Sequence, residues 1–426
     1  MCESDHSSFL RLLSPSSAVD PTPATVPCSR SAPPHPSPGG GEREASGAGG
    51  NPATGSGGSG ATTTSSSATG GGGAGGAGAT AIRHTLSAAT GHTCATRGVQ
   101  TKCWGENGSG QLGDGSISNQ PLPRTTGLGR ADSLGSGTSH SCAALATSVY
   151  CWGGNDAGQL GNGGSQDSNT PESVLGLTET RQIVGGLRHS CALLSTGAVR
   201  CWGRNVEGQL GTGTTSNSLT PSAVLSLTNV VEITAGAYHT CALDGLGQVS
   251  CWGQNAHGQL GSGDTTARPS PILVAGLAPA QRIDAGASHT CAVLLDGGVA
   301  CWGRNQLGQL GNGTTASSDA PVLVPGITTA TQVSGGDFHS CAVLADGQVR
   351  CWGFNSSGQL GDGTTTNSTT AVTTTGIATA VEVSAGSVHT CVRLASGEFQ
   401  CWGRNDQGQL GDGTFTTRST ADTVAF

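Results

Sequence analysis

Residues 236 to 263 read GAYHTCALDGLGQVSCWGQNAHGQLGSG, and the stretch recurs with variation along the chain. Its fixed points are a histidine two residues before a cysteine, a second cysteine inside Cys-Trp-Gly, an asparagine two residues on, and Gly-Gln-Leu-Gly. Every tryptophan lies in such a triplet, at Trp104, Trp152, Trp202, Trp252, Trp302, Trp352 and Trp402, spaced by 48 and then by 50 five times over. Self-similarity at a fixed period of about 50 residues marks a repeat architecture. Glycine belongs to the repeat itself, since residues 301 to 350 alone hold eight.

Inside a repeat the period is 2, as strands require. In repeat four, Val231, Ile233 and Ala235 alternate with Glu232 and Thr234, and His239, Cys241 and Leu243 share a face opposite Thr240 and Ala242. No helical period of any length appears. In the last five repeats the two cysteines are ten apart, which centres three-residue loops on Thr196, Leu246, Asp296, Asp346 and Ser396. The third loop residue is then Gly197, Gly247, Gly297, Gly347 or Gly397. That is the hairpin loop whose last position takes φ > 0, a conformation cheap only for glycine. In the first two repeats the spacing is nine, leaving Gly98-Val99, suited to a type II′ turn, and Ala146-Thr147, which is not.

Seven units with roughly four short strands each fit radial closure into an all-β, seven-bladed β-propeller over residues 81–426. A linear solenoid would show atypical capping repeats, whereas the seventh repeat, His389 to Gly413, is as regular as the third. The first strand precedes the His-x-Cys hairpin and the last follows it, so the two ends of the repeat region can lie side by side. The phrases His-Thr-Cys-Ala-Leu, Val-Ser-Cys-Trp-Gly-Gln-Asn and Gly-Gln-Leu-Gly-Ser-Gly of repeat four resemble the repeats of the regulator of chromosome condensation family. The resemblance runs through residues 81–426 and implies a seven-bladed propeller with Gly-Gln-Leu-Gly as a packed turn. Members of that family include an exchange factor for a small GTPase, modules of ubiquitin ligases and kinases, and a secreted bacterial β-lactamase inhibitor. Fold alone does not choose among them.

Composition narrows the classes further. Charged residues are only 11% of the 426, against about 25% in ordinary soluble domains, and the net charge is −8. With 19 Lys and Arg in all, a phosphate-binding surface and hence a nucleic-acid partner are not expected. No apolar run approaches the ~18 residues of a membrane-spanning helix. Residues 1–80 are Ser/Pro-rich and then Gly/Ala/Ser/Thr-rich, with too little apolar surface to offset chain entropy, and read as a disordered tether. The candidate secretory core, Phe9 to Leu13, is cut by Arg11 and followed by Ser14 and Pro15. Cys2 could be a lipidated cysteine behind a missing leader, the alternative being an ordinary cysteine in a floppy tail.

Fourteen of the 16 cysteines fall in pairs: Cys94/Cys103, Cys142/Cys151, Cys191/Cys201, Cys241/Cys251, Cys291/Cys301, Cys341/Cys351 and Cys391/Cys401. The hairpin register puts each pair face to face, at the ~4.5 Å Cα separation of a non-hydrogen-bonded antiparallel pair, close enough to bridge. Disulfides are the expectation. Free thiols acting as small buried hydrophobes and a His/Cys/Cys metal set are the alternatives. Cross-strand disulfides imply an oxidising compartment, so a bacterial surface, periplasm or medium is expected, with the cytoplasm as the alternative.

No catalytic constellation is apparent. Catalysis needs one base with its own orienting partner, not the seven copies His92, His140, His189, His239, His289, His339 and His389, which are expected to be structural and hydrogen-bonded within their own blades. The residues before Gly at 114, 162, 212, 262, 312, 362 and 412 read as turn residues, and no cofactor is expected. The sequons at Asn107, Asn312, Asn355 and Asn367 are at chance level for so Thr/Asn-rich a chain. What varies is the pair of residues before each repeat histidine, including Arg188, Tyr238, Asp337 and Phe338, and the residue after Trp-Gly, including Arg204, Arg304, Phe354 and Arg404. Aromatic residues and arginine are what interface hot spots favour. The expected function is a non-enzymatic, monomeric binding module whose rim meets a protein or cell-surface partner. An exchange-type regulator of a small GTPase and a propeller lyase are the rival readings, the latter requiring a repeat that departs from the pattern with clustered His, Glu or Asp.

Overall fold

The computed structural model describes residues 84–426, and in it every regular element is a strand. The tether expected at residues 1–80, with Cys2 and Cys28, lies outside the described residues. Seven four-stranded antiparallel sheets follow one another along the chain, spanning residues 86–125, 133–173, 180–223, 230–273, 280–323, 330–373 and 380–423. Each blade is built from one continuous repeat, its strands adjacent in sequence order from the propeller axis outward. No strand is exchanged between the first and last blades. No helix among the described residues is long and apolar enough to cross a membrane.

The hairpins form as their loops require. In blade 3 the Gly197 N–H donates to Leu194 O (2.9 Å) and Leu194 N–H to Ala198 O (2.9 Å), and Gly197, Gly247, Gly297, Gly347 and Gly397 all lie at φ between 81 and 84°. In the first blade Gly98 takes φ 61°. The inner strands depart from simple alternation. A register shift between Val230 and Glu232 turns Val231 outward, 39% exposed, while Glu232 is buried at 4%. Both faces of such a strand are covered: Ile233 joins the apolar cluster shared with blade 3, and Thr234 hydrogen-bonds Asp284 of blade 5.

The core sits between blades. Each cluster combines the cysteines and a leucine of one blade with the inner strand and tryptophan of the next, as where Cys291, Cys301 and Leu310 meet Val333 and Trp352. All seven tryptophans are fully buried, and each indole N–H donates at 2.9 Å to the carbonyl of the Gly-Gln-Leu-Gly glutamine in the preceding blade. The same carbonyl accepts the hydroxyl of the residue after the repeat histidine at 2.9–3.0 Å. Asn107 and its counterparts hold the long loop by accepting from the leucine N–H five residues on, at 2.9–3.0 Å. The sequon residues Asn107 and Asn355 are these same fully buried amides.

The repeat histidines are structural, but their bonds run between blades, not within them. Nε2 of His92, His140, His189, His239, His289, His339 and His389 lies 2.8–3.0 Å from the hydroxyl of Ser141, Ser190, Thr240, Thr290, Ser340, Thr390 and Thr93 in turn, a closed circuit. Each hydroxyl has already given its proton to a glutamine carbonyl, so it accepts here and Nε2 must carry the hydrogen. Nδ1 is buried without a partner in all seven. The reason is geometric: each ring lies across the blade interface, with Nε2 within hydrogen-bond distance of the next blade's hydroxyl.

The seam between blades 7 and 1 closes like the others, with Leu86, Ala95 and Trp104 packed on Cys391, Phe399, Cys401 and Leu410. Glu382 accepts from Thr85 N–H (2.8 Å), Thr85 O–H (2.7 Å) and Leu86 N–H (3.1 Å). Phe426 meets the Trp104 ring edge-on, with centroids 6.3 Å apart.

All seven expected cysteine pairs are disulfides, each joining the second and third strands of its blade. Cys94 is bonded to Cys103 in blade 1, Cys142 to Cys151 in blade 2, Cys191 to Cys201 in blade 3 and Cys241 to Cys251 in blade 4. Cys291 is bonded to Cys301 in blade 5, Cys341 to Cys351 in blade 6 and Cys391 to Cys401 in blade 7. The partners stand directly opposite in register in every blade. Their Cα atoms are 4.0–4.1 Å apart, closer than the ~4.5 Å expected of an unbridged facing pair. Metal ligation by Cys103, Cys151, Cys201, Cys251, Cys301, Cys351, Cys401 or their partners is thereby superseded, as is the free-thiol alternative.

Mass spectrometry of native protein alkylated without reduction is expected to show the seven linked peptide pairs; fourteen alkylated thiols in protein from its native source would refute the assignment. Reduction is expected to lower the melting temperature without unfolding the propeller at room temperature, because each bridge closes only a short hairpin already held by its turn.

Candidate functional site: the rim and the axis

The two variable positions singled out in the repeat are neighbours at one end of the propeller. In every blade the backbone N–H of the residue after Trp-Gly donates to the carbonyl of the residue before the histidine, as Arg204 to Arg188 (2.8 Å), Gln254 to Tyr238 (2.8 Å) and Phe354 to Phe338 (2.9 Å). The glycine between makes this approach possible: at Gly353, φ is 105° and a Cβ would stand 2.6 Å from Phe338 O.

Side chains then pair across blades. The Arg204 guanidinium lies over the Tyr238 ring at 5.6 Å and that of Arg304 over Phe338 at 5.5 Å. Phe338 in turn meets Phe354 edge-on at 6.2 Å, and Phe354 is buried. Thus five of the eight candidate rim residues form two Arg–aromatic stacks two blades apart. The other three are engaged elsewhere: Arg188 pairs with Asp156 (2.7 Å), Arg404 with Asp406, and Asp337 accepts the Ser387 hydroxyl (2.6 Å). No ion pair with a described carboxylate involves Arg204 or Arg304; Arg304 donates through Nε and Nη2 to Gln306 Oε1. The turn residues also behave as read, with Asp412 accepting the N–H of Thr414 at 2.8 Å.

The bridged cysteines belong to neither the rim nor the axis. Cys94 and Cys103, Cys142 and Cys151, Cys191 and Cys201, and Cys241 and Cys251 are sealed in the apolar clusters between blades. Cys291 and Cys301, Cys341 and Cys351, and Cys391 and Cys401 are sealed in the same way. At no more than 1% exposure, none of these sulfurs can meet a partner, and their role is confined to the frame.

The axis is a second place where chemistry gathers, and the repeat pattern did not disclose it. One inner-strand position reads Thr85, Ser133, Gln182, Glu232, Arg282, Gln332 and Glu382 through the seven blades. Repeats four, five and seven therefore differ from their siblings here by ionisable groups. Aligning the repeats on this strand would have shown it; strand alternation alone could not, because the register shift decides that Glu232 and not Val231 points inward. Asp284, one turn of the pleat away, is satisfied by the hydroxyls of Thr234 (2.7 Å) and Ser334 (2.9 Å) and the Gly335 N–H (3.0 Å). Glu382 also holds Arg393 Nε at 2.9 Å. The inner strands enclose a narrow axial channel of about 170 Å³, which opens at the hairpin end into a cavity of about 880 Å³.

The family model of the RCC1-like domain matches residues 77–380, and the regulator of chromosome condensation (RCC1) repeat matches residues 380–409. This chain belongs to the RCC1-like domain family. Among solved structures, human WBSCR16 is 23% identical, with a TM-score of 0.71 over 78% of this chain and 94% of that one. Yeast RCC1 (Prp20), solved bound to Kap60, is 21% identical, with a TM-score of 0.69 over 80% of this chain and 86% of that one. Prp20p from Saccharomyces cerevisiae, studied with its binding properties to Gsp1p and histones, is 23% identical, with a TM-score of 0.68 over 78% and 87%. No curated protein matches in sequence. At these identities the structural likeness shows the RCC1-like fold and nothing finer.

Proposed function

We propose that this RCC1-like propeller is a non-enzymatic, monomeric binding module, working in an oxidising compartment outside the cytoplasm, whose rim over blades 3 to 6 docks a protein partner. The observation that carries this reading is the pair of Arg–aromatic stacks. Each guanidinium lies against a ring that pre-orders it, so little side-chain entropy remains to be lost on binding. Neither has an ion-paired carboxylate among the described residues, so the matching partner surface is one that presents carboxylates beside apolar side chains. The seven bridges support the compartment. Four arginines on the rim are too few for a nucleic-acid footprint.

The test is capture from the native surface or medium with oxidised propeller, comparing wild type with a Tyr238→Ala, Phe338→Ala double variant. A partner retained by wild type and weakened by roughly 2–4 kcal/mol in the variant supports the rim; undiminished capture by the variant moves the site elsewhere. The exchange-factor reading is favoured by the likeness to Prp20p, whose described binding partners are Gsp1p and histones. It predicts accelerated nucleotide release from a small GTPase, and release at the uncatalysed rate sets it aside.

A further inference from the structure

At the hairpin end of the axis, Glu232 and Arg282 occupy the same inner-strand position in adjacent blades and both line the channel and the cavity. Blades 3 and 6 place a glutamine here. Gln182 accepts from Ile233 N–H (2.9 Å) and donates to Ile233 O (2.8 Å) of the next blade, and Gln332 does the same with Val383 at 2.9 and 3.3 Å. Glu232 keeps only half of that clamp, one long bond of 3.3 Å from Ile283 N–H to Oε2. Its other oxygen has no hydrogen-bond donor among the described residues, although the residue is only 4% exposed. Arg282 spends one N–H on the neighbouring Gln281 carbonyl (2.7 Å). The two groups are not paired with each other: no ion pair joins them within 4.0 Å. Around the opening, Val231, Leu246 and Leu295 are exposed apolar side chains lining the same cavity.

A buried carboxyl and a guanidinium that face one cavity without closing on each other leave room for a group bearing the complementary charges. We propose that this mouth binds a small zwitterion with an apolar body, of which an apolar α-amino acid is the simplest, with its ammonium on Glu232, its carboxylate on Arg282 and its side chain against the leucine and valine collar. A ligand with one charge would meet only one of the two groups: an amine alone leaves Arg282 without a carboxylate, and a carboxylate alone leaves the Glu232 carboxyl without a hydrogen-bond partner from the ligand. Blade 4 and blade 5 thus specify both ends, while blades 3 and 6, with their glutamines, hold the ring together.

Proton balance gives an independent readout. Burial pushes Glu232 up to about 8, partly offset by Arg282. The charged and titratable groups around the same mouth are Arg282 of blade 5, Arg181 of blade 3, Asp244 of its own blade, Asp132 and Glu179 just ahead of blades 2 and 3, and His84, which burial keeps below its usual value, while Asp284 and Glu382 line the channel. Burial thus favours the protonated carboxyl in the empty site, and an arriving ammonium favours the ionised one. Binding should release up to one proton.

Calorimetric titration of the oxidised full chain with L-leucine at pH 7, in buffers of different ionisation enthalpy, tests this. Saturable binding with proton release is expected, with hexylammonium and hexanoate each weaker by roughly tenfold or more. Glu232→Gln should abolish the proton release and the advantage of leucine over hexanoate. Arg282→Gln should abolish the advantage of leucine over hexylammonium. Both variants install the residue that blades 3 and 6 already use, so the propeller is retained, and a Phe338→Ala rim variant should bind leucine as wild type does. Absence of saturable leucine binding at about 10 mM, binding indifferent to Glu232→Gln, or hexanoate binding equal to leucine would each overturn the proposal. None of these outcomes bears on the rim.

Discussion

Acidified from pH 7 to pH 4, the protein is expected to unfold cooperatively, with a midpoint at about pH 4 to 5 and a proton uptake larger than its few depressed carboxylates can explain. The cause is the histidine circuit. Burial holds His92, His189, His239, His339 and His389 down at about 3, and His140 and His289 at about 4, against 6.5 in the open chain. Between those values the unfolded chain binds protons that the folded one refuses. Stability is therefore full above pH 6.5 and falls as pH falls through the window. One histidine loses up to about 1.4 kcal/mol per pH unit, so seven acting together lose as much as about 8 kcal/mol between pH 6 and 5. That is comparable with the ~5–15 kcal/mol by which whole domains are stable. Glu232 and Asp284, both raised by burial, work in the opposite direction, but they are two groups against seven. Far-UV circular dichroism and tryptophan fluorescence against pH would follow the transition. A folded protein at pH 3.5, or a transition linked to a single proton, would contradict the neutral, interblade arrangement of these rings.

A single methyl group placed under one tryptophan is expected to be strongly destabilising. Gly311 has φ +68° and a Cβ there would stand 2.7 Å from the Trp352 indole of the next blade. Gly263 has a similar φ of +77° but open space around it. Gly263→Ala should thus cost only the left-handed backbone penalty of about 1–2 kcal/mol. Gly311→Ala adds overpacking of about 1–3 kcal/mol, because the indole is pinned by its bond to Gln309 O at 2.9 Å and has nowhere to move. Urea denaturation of the two variants separates the contributions. Equal midpoints would mean that the Gly-Gln-Leu-Gly turn does not bear on the neighbouring blade.

Much of this could be read from residues alone because the repeat repeats its own constraints. The Trp-Gly spacing set the number of blades, the glycine at the end of each three-residue loop set the hairpins, and the nine- or ten-residue cysteine spacing set the bridges. The rim was legible as variation against a fixed frame, though Arg188 and Arg404 could not be told from Arg204 and Arg304 without their aspartates in view. What stayed hidden depended on neighbours fifty residues away. The histidine's acceptor is in the next repeat, and the side of the strand on which Glu232 falls depends on one bulge. Both facts belong to the packing of blades, which a pattern internal to one repeat does not contain.

That every blade is cut from one uninterrupted stretch of chain, and that the seam between the last and first blades uses the same tryptophan-to-carbonyl and histidine-to-hydroxyl bonds as the other six, makes the ring indifferent to where the polypeptide starts. A circular permutation that opens the chain at any interblade link and joins 426 to the first blade through a short linker preserves every strand pairing and every disulfide. The order of blades around the circle matters for the rim and the axis; the location of the break does not. Functional asymmetry among the described blades therefore resides in differences at equivalent positions and in loop length, and duplication or loss of a whole blade would leave the strand pairing of every other blade intact.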